Sequence, residues 1–116
     1  MKRLVSLITI LLISCQVKDK YGKEIPQDLS PIKIREILNS PTSYQNKEVL
    51  VIGKITAECG SGCWFFIQDE TGQIYVDLAP SKFAIPQRIG KEVIVYGKVE
   101  IKHGEPMIIG KGVKFK

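Results

Sequence analysis

The residues best suited to chemistry in this chain are Cys59 and Cys63, separated by Gly-Ser-Gly and followed directly by Trp64. Glycine adopts positive φ at little cost, so this short segment can bring the two sulfurs together. A structural disulfide would close a five-residue loop and stabilise the fold by about 2 kcal/mol. Thiolates also bind Cu(I) or Zn(II). Thiol–disulfide exchange is less favoured, because redox pairs usually have two intervening residues at a helix N-terminus, which lowers the thiol pKa.

A third cysteine, Cys15, ends an apolar segment close to the N-terminus. Two basic residues, Lys2 and Arg3, follow Met1, and residues 4–13 are apolar apart from one serine and one threonine. This segment is shorter than the about 20 residues of a membrane-spanning helix but has the size of a signal peptide core. It closes with Leu12-Ile13-Ser14-Cys15, which resembles the lipobox of bacterial lipoproteins.

The lipobox resemblance implies a processed and anchored protein. Residues 1–14 are then a cleaved signal peptide, and Cys15 carries the membrane anchor, including an acyl chain such as palmitate. We expect a cell-envelope location facing the periplasm. Gln16 stands where aspartate signals inner-membrane retention in some bacteria, which favours the outer membrane. Lipidation would leave Cys59 and Cys63 as a matched pair in an oxidising compartment, where disulfides persist.

Charge says little about partners. The sequence holds 17 basic and 12 acidic residues. Removing the leader, with Lys2 and Arg3, would leave 15 against 12, a net charge of +3. No block of like charge stands out, so specific nucleic-acid recognition is not indicated.

The segment after the lipobox is predicted to divide into a tether and a helix. Residues 15–29 are polar and contain breakers, which is typical of a flexible linker. Ser30 is then the predicted N-cap of a helix with Pro31 at its first position. The apolar stripe of this helix is Ile32, Ile34, Ile37 and Leu38, and Asn39-Ser40-Pro41 ends it. A loop is expected over residues 42–47.

The remainder has the texture of strands separated by turns. Five strands are predicted, over 49–57, 63–68, 73–78, 92–102 and 107–115. Gly53 and Gly97 lie in the middle of the first and fourth strands, where glycine allows a long strand to bend and pair in both halves of a closed sheet. The sequence therefore predicts an all-β fold, a small five-stranded barrel with a short N-terminal helix.

This pattern resembles the OB-fold, specifically the small bacterial envelope OB-fold proteins related to the anticodon-binding-like nucleic-acid-binding family. The resemblance covers residues 30–116, which we assign to the OB-fold domain. Its matching residues are Asn39-Ser40-Pro41-Thr42-Ser43-Tyr44, the two Gly-Lys-Ile/Val strands, Ile67-Gln68-Asp69-Glu70-Thr71-Gly72 and Pro106-Met107-Ile108-Ile109. OB barrels host unrelated tasks, so the resemblance implies a binding or accessory module of unspecified ligand.

The OB resemblance also implies where a metal site would lie. In that fold the loop joining strands 1 and 2 and the loop joining strands 4 and 5 lie together at the binding side. His103, the single histidine of the chain, and Met107 could therefore join Cys59 and Cys63 around Cu(I) or Zn(II). A cysteine pair with a histidine resembles the copper sites of envelope copper-delivery proteins, which have a different fold.

Aromatic residues mark the second candidate surface, on predicted strands 2 and 3. Trp64 and Phe66 share one side by alternation, which leaves Phe65 to share the other with Tyr75. One set should belong to the core and the other could stack on bases or sugars. The ligand-face candidates are thus Phe65, Tyr75 and Trp64.

Catalysis has little support in the sequence. A single histidine allows no plausible Ser-His-Asp set, and no phosphate-cradling glycine loop occurs. We predict a non-enzymatic, membrane-anchored OB-fold module that binds an unknown protein or small ligand. Copper handling and single-stranded nucleic-acid binding are the alternatives, and the predicted envelope location disfavours nucleic acid.

Overall fold

The computed structural model describes residues 18–116 of the chain. The predicted signal peptide and Cys15 lie outside the described residues. Two short helices, a 3₁₀ turn at Ala79–Ser81 and six strands follow one another. They are β1 (Lys20–Gly22), α1 (Ile34–Asn39), α2 (Pro41–Tyr44), β2 (Glu48–Glu58), β3 (Trp64–Gln68), β4 (Gln73–Asp77), β5 (Glu92–Lys102) and β6 (Glu105–Phe115). Within residues 18–116, neither helix has the length and apolar character needed to cross a membrane.

Strands β2 to β6 form a closed, mixed barrel. β2 pairs antiparallel with both β3 and β5, β3 pairs with β4, and β5 pairs with β6. A short parallel pairing of β4 with β6, in which Val76 lies opposite Ile108, closes the barrel. The predicted all-β, five-stranded OB-fold architecture with a short preceding helix is confirmed.

Glycines lie where one strand passes from one partner to the next. β2 pairs with β5 through residues 48–54 and with β3 from residue 54 onward. A Cβ at Gly53 would lie 2.4 Å from the carbonyl oxygen of Gln68. At Gly97 it would lie 2.3 Å from the carbonyl oxygen of Ile109. Because any side chain would collide with the neighbouring backbone, the mid-strand glycines permit the tight coiling that the sequence predicts.

Inward-facing aliphatic side chains fill the barrel, as strand alternation requires. The helix α1 packs its Ile34 and Ile37 side chains into the same core. The fully buried strand residues are Val51, Ile55, Phe65, Ile67, Val76, Val93, Val95, Val99 and Ile108.

Helix α1 begins at Ile34, three residues later than the predicted start at Pro31. Its first free N–H groups are satisfied by the turn between β3 and β4. The Asp69 carboxylate accepts the N–H of Ile34 at 2.9 Å, and the Thr71 hydroxyl oxygen accepts that of Arg35 at 3.0 Å. The predicted N-cap is therefore wrong, because a distant hairpin supplies the capping groups that Ser30 was expected to supply.

The residues expected in the first helical turn are extended instead. Pro31 forms an isolated parallel bridge with Leu50, and the N–H of Ile32 donates to the Leu50 carbonyl at 2.9 Å. Pro41–Tyr44 forms a second short helix where the sequence predicts the start of a loop. Proline at its first position is compatible with a helix, since that N–H needs no helical partner.

Part of the predicted tether belongs to the folded domain. Lys20–Gly22 forms β1 and pairs with β6, with Tyr21 opposite Val113. The Tyr21 ring meets the Phe115 ring edge-on at 5.9 Å. This pairing covers an edge of β6 that would otherwise leave backbone groups unpaired. The prediction of a linker is wrong for these residues, because the Tyr21 ring packs against Phe115 and the backbone of β1 pairs with the edge of β6.

Candidate functional site

Three aromatic side chains form a continuous surface on the outer side of β3 and β4. Trp64, Phe66 and Tyr75, here called the aromatic face, are all partly exposed. Their ring centroids lie 6.0 Å apart for Trp64 and Phe66, 5.8 Å for Trp64 and Tyr75, and 5.4 Å for Phe66 and Tyr75. Edge-to-face and tilted contacts at these distances are favourable, so the rings support one another while presenting apolar area to solvent.

Strand register decides which rings reach this surface. The β3–β4 hairpin pairs Gln68 with Gln73, which places Phe66 directly opposite Tyr75. Phe65 pairs with Val76 on the inner side and has 0% exposure. The expectation that Phe65 shares a face with Tyr75 is therefore wrong. Phe66 was missed as a ligand-face residue, although a hairpin register counted from the turn would have identified it.

The polar border of the aromatic face carries few positive charges. Asp77 lies opposite Trp64 across the hairpin, and Gln68 and Gln73 form the next outward-facing pair. The Thr56 hydroxyl donates to the Gln73 side-chain oxygen at 2.9 Å. Amide, hydroxyl and carboxylate groups thus lie beside the rings and can donate and accept hydrogen bonds.

The surroundings of Tyr75 raise the pKa of its phenol. Burial raises its pKa, and the negative charges of Asp77, Cys63 and Cys59 add to that effect. The tyrosine therefore stays neutral and keeps its O–H donor at physiological pH. Cys63 directly precedes Trp64, so the cysteine loop borders the aromatic face.

An open groove of about 710 Å³ continues from the aromatic face along β2. Thr56 and Gln68 line both the groove and the border of the face. The charged residues lining the groove are Lys33, Lys54, Asp69, Glu70 and Glu92, two bases against three acids. Lys33 is paired with Glu70, so the groove offers little free positive charge.

The two cysteine sulfurs lie together at the edge of the aromatic face. The Sγ atoms of Cys59 and Cys63 are 2.9 Å apart, and both residues are free cysteines. A disulfide bond requires a separation of about 2.05 Å. The three-residue spacing brings the sulfurs together as the sequence predicts. The structural disulfide, one of the three alternatives for this pair, is not found, because no covalent bond joins the two sulfurs.

Ser61 contributes two polar groups to the cysteine pair. Its hydroxyl oxygen is 3.1 Å from Cys59 Sγ and donates to Cys63 Sγ at 3.6 Å, and its N–H donates to Cys59 Sγ at 3.4 Å. Hydrogen bonds from Cys63 and then from Ser61 lower the pKa of the Cys59 thiol to about 6. Donors aimed at a sulfur stabilise its thiolate, so the loop favours the thiolate form of Cys59.

Backbone contacts hold the cysteine loop in place. Gly62 has φ +77°, and a Cβ there would lie 1.9 Å from the Ile85 carbonyl oxygen. The N–H of Ile85 donates to the Gly62 carbonyl at 3.1 Å, and the Gln87 side chain donates to the Gly60 carbonyl at 2.7 Å. The N–H of Cys59 donates to the Trp64 carbonyl at 3.0 Å. The loop is thereby fixed to the start of β3 and to the segment before β5.

The remaining metal-ligand candidates lie elsewhere. His103 is in the turn between β5 and β6 with φ 53°, and Met107 is buried in β6 at 5% exposure. No group of three or more His, Cys, Asp or Glu side chains that could hold a metal ion occurs within residues 18–116. The predicted set of Cys59, Cys63 and His103 is therefore not assembled. Binding of Cu(I) or Zn(II) through Cys59 and Cys63, with His103 or Met107 assisting, has no preformed site in these residues and stays an untested prediction.

Comparison with known proteins supports the fold. No protein-family model matches the chain, and no curated protein matches it significantly. Asparaginyl-tRNA synthetase from Pyrococcus horikoshii, complexed with asparaginyl-adenylate, is 16% identical with a TM-score of 0.62 over 74% of this chain. The chain spans 22% of that synthetase chain. This chain has an OB fold. The hypothetical protein ygiW from E. coli is 17% identical, with a TM-score of 0.56 over 83% of this chain and 100% of ygiW.

Proposed function

We propose that this chain is a non-enzymatic, lipid-anchored binding module of the bacterial envelope, and that its aromatic face binds an oligosaccharide. The observation that carries the proposal is the cluster of Trp64, Phe66 and Tyr75, whose rings lie 5.4–6.0 Å apart on the outer side of the barrel. The corresponding strands are the ligand-binding surface of OB-folds that bind oligonucleotides or oligosaccharides.

The chemistry around the rings suits a neutral, polyhydroxylated ligand. A sugar ring has a flat, apolar C–H face that can lie on an aromatic ring, while its hydroxyl groups need hydrogen-bond partners. Gln68, Gln73 and Asp77 supply amide and carboxylate groups beside the rings. The groove along β2 extends the surface, so a ligand of several sugar units would find further contacts.

Charge disfavours a nucleic acid at the same place. A phosphate backbone binds through several lysines or arginines, whose contacts release counterions. The groove instead has two lysines against three carboxylates, and Lys33 is already paired with Glu70. The synthetase neighbour shares the fold at 16% identity, which supports an OB module but not a nucleic-acid ligand. Single-stranded nucleic acid is therefore the competing outcome of the experiment below.

The single tryptophan of the chain gives a direct assay. Trp64 belongs to the aromatic face, so its fluorescence should change when a ligand covers the rings. The full chain in mild detergent is titrated with chitotetraose, cellohexaose and a twelve-nucleotide oligo(dT), each at low and high salt. We expect saturable binding of at least one oligosaccharide with little salt dependence. Binding of oligo(dT) alone, weakening as salt rises, would replace this proposal with nucleic-acid binding.

Matched variants locate the ligand on the aromatic face. Phe66→Ala and Tyr75→Ala each remove one ring. Taking the loss of an aromatic ring beneath a stacked base as the guide, we expect each to cost about 1–3 kcal/mol, or about 5- to 150-fold in affinity. Leu38 is an apolar side chain on α1 with 38% exposure, so Leu38→Ala is the control and should bind normally. Equal binding by all three variants, or no binding to any of the probes, would contradict the proposed surface.

The anchoring proposal has its own test. Leu12-Ile13-Ser14-Cys15 supports lipidation at Cys15, with outer-membrane placement favoured by Gln16. Cells expressing the full chain are labelled with radioactive palmitate and then fractionated. We expect label on the native chain, in the outer-membrane fraction, and none on Cys15→Ser. A native chain without label, or label retained by Cys15→Ser, would contradict lipidation at this cysteine.

A further inference from the structure

We propose that Cys59 and Cys63 form a thiol–disulfide exchange site, in which Cys59 attacks a substrate disulfide and Cys63 resolves the mixed disulfide. The two Sγ atoms lie 2.9 Å apart on a partly exposed loop, and Ser61 contacts both. The proposal does not depend on what the aromatic face binds.

Cys59 has the environment of a nucleophile. The Cys63 thiol donates to its Sγ at 2.9 Å, and the Ser61 N–H donates at 3.4 Å. Nucleophilic cysteines usually obtain such donors from a helix N-terminus, and this loop obtains them from Ser61 and Cys63 instead. Because its pKa is lowered to about 6, Cys59 is largely thiolate at neutral pH. This arrangement supplies donors to the sulfur without the helix N-terminus on which the sequence argument against thiol–disulfide exchange rested.

The reaction balances without any redox group in the protein. The Cys59 thiolate attacks one sulfur of a small-molecule or peptide disulfide, forms a new S–S bond and expels the other sulfur as a thiolate. Cys63 then loses its proton to solvent and attacks Cys59 Sγ, which expels the second substrate thiolate. The substrate disulfide is reduced to two thiols, and the protein dithiol is oxidised to a disulfide.

The loop places Cys63 for the resolving step. The sulfurs need to approach only from 2.9 Å to about 2.05 Å. The Cys63 carbonyl accepts the N–H of Leu78 at 2.9 Å, and Gly62 is held against Ile85. Side-chain rotation can therefore close the bond while the backbone of the loop stays in place.

Exchange with oxidised glutathione tests the proposal. The reduced full chain should release two glutathione molecules and gain the Cys59–Cys63 disulfide. Cys63→Ser should release one and stop with glutathione on Cys59, whereas Cys59→Ser should react slowly. At pH 6 a thiol of pKa about 6 has about 160-fold more thiolate than one of pKa about 8.5, and its weaker intrinsic nucleophilicity reduces the advantage to about tenfold in rate. Peptide mass spectrometry assigns each adduct and separates both cysteines from Cys15.

Two serine variants test whether the Ser61 hydroxyl itself activates the Cys59 thiol. Ser61→Ala removes the hydroxyl, so the apparent pKa for iodoacetamide alkylation of Cys59 should rise and its rate at pH 6 should fall. Ser43→Ala, on the exposed surface of α2, should leave both unchanged. Equal reactivity of Cys59 and Cys63 at ordinary thiol pKa values, or a Cys63→Ser variant with no glutathione adduct at Cys59, would overturn the proposal. Neither result would bear on the fluorescence titrations of the aromatic face.

Discussion

Replacing Gly62 with alanine should damage the cysteine loop more than any neighbouring glycine substitution. Gly62 has φ +77°, and an added Cβ would lie 1.9 Å from the Ile85 carbonyl oxygen. The left-handed backbone costs a non-glycine residue about 1–2 kcal/mol. Moving Ile85 away would also lose its N–H bond to the Gly62 carbonyl, worth about 0.5–1.5 kcal/mol. We expect Gly62→Ala to lower the free energy of unfolding by about 2–3 kcal/mol.

Two matched glycines separate backbone strain from collision. Gly104 has φ +81° with nothing within 4 Å of an added Cβ, so Gly104→Ala should cost only the backbone term of about 1–2 kcal/mol. Gly60 lies in the same loop without positive φ, and its nearest atom is 3.7 Å away. Gly60→Ala should be neutral or slightly stabilising, by about 0.4–1 kcal/mol. Urea unfolding of the three variants measures the differences.

The same variants test whether the geometry of the cysteine loop controls the pKa of the Cys59 thiol. Displacing Gly62 should separate the sulfurs, so Gly62→Ala should also raise the apparent pKa for alkylation of Cys59, while Gly60→Ala should not. If Gly62→Ala unfolds at no lower urea concentration than Gly104→Ala, then contact with Ile85 does not hold the loop in place.

Three further outcomes follow from the packing and the capping contacts. Phe65→Ala should cost about 3–5 kcal/mol in urea unfolding because that ring is fully buried, whereas the partly exposed Phe66→Ala should cost clearly less; similar losses would contradict the assigned register. Tyr21→Ala should lose the edge contact with Phe115 and reduce the protection of the β1 amides from hydrogen exchange. Unchanged protection would mean that the Tyr21 ring does not hold β1 on the barrel. Burial acts to raise the pKa of Asp69, but hydrogen bonds to its carboxylate outweigh burial and lower it. The stabilisation that the Asp69 carboxylate gives to the fold should therefore be complete above its unfolded pKa of about 3.9. It should be lost as the pH falls through the lower pKa of the folded state. Asp69→Asn should make the free energy of unfolding depend less on pH over that range.

Elements that depend on local pattern were predicted from the sequence. The five barrel strands follow from runs of apolar residues between turn signals, and Gly53 and Gly97 indicate their bending. The proximity of Cys59 and Cys63 follows from three small intervening residues. These features depend on residues within one strand or one turn, where side-chain alternation and backbone freedom are set by the nearest neighbours in the chain.

Elements that depend on distant partners were predicted incorrectly or not at all. The start of α1 is set by Asp69 and Thr71, which lie 35 and 36 residues from the N–H groups they accept. The short strand at Lys20–Gly22 forms because its backbone pairs with the free edge of β6. Neither partner is visible in the local sequence, since propensity describes a segment alone and not the surface against which it folds.

The barrel, its mid-strand glycines and the proximity of two cysteines can be predicted from the order of residues along the chain. The chemistry that those residues can do depends on how the folded strands and loops surround them. Hairpin register turned Phe65 inward and Phe66 outward, although the two are adjacent in the chain. The folded loop directed the Cys63 thiol and then Ser61 at Cys59 Sγ, and these donors lowered a thiol pKa that spacing alone does not control. Exposure and pKa are properties of the surroundings of a side chain, and those surroundings exist only after distant segments have packed together.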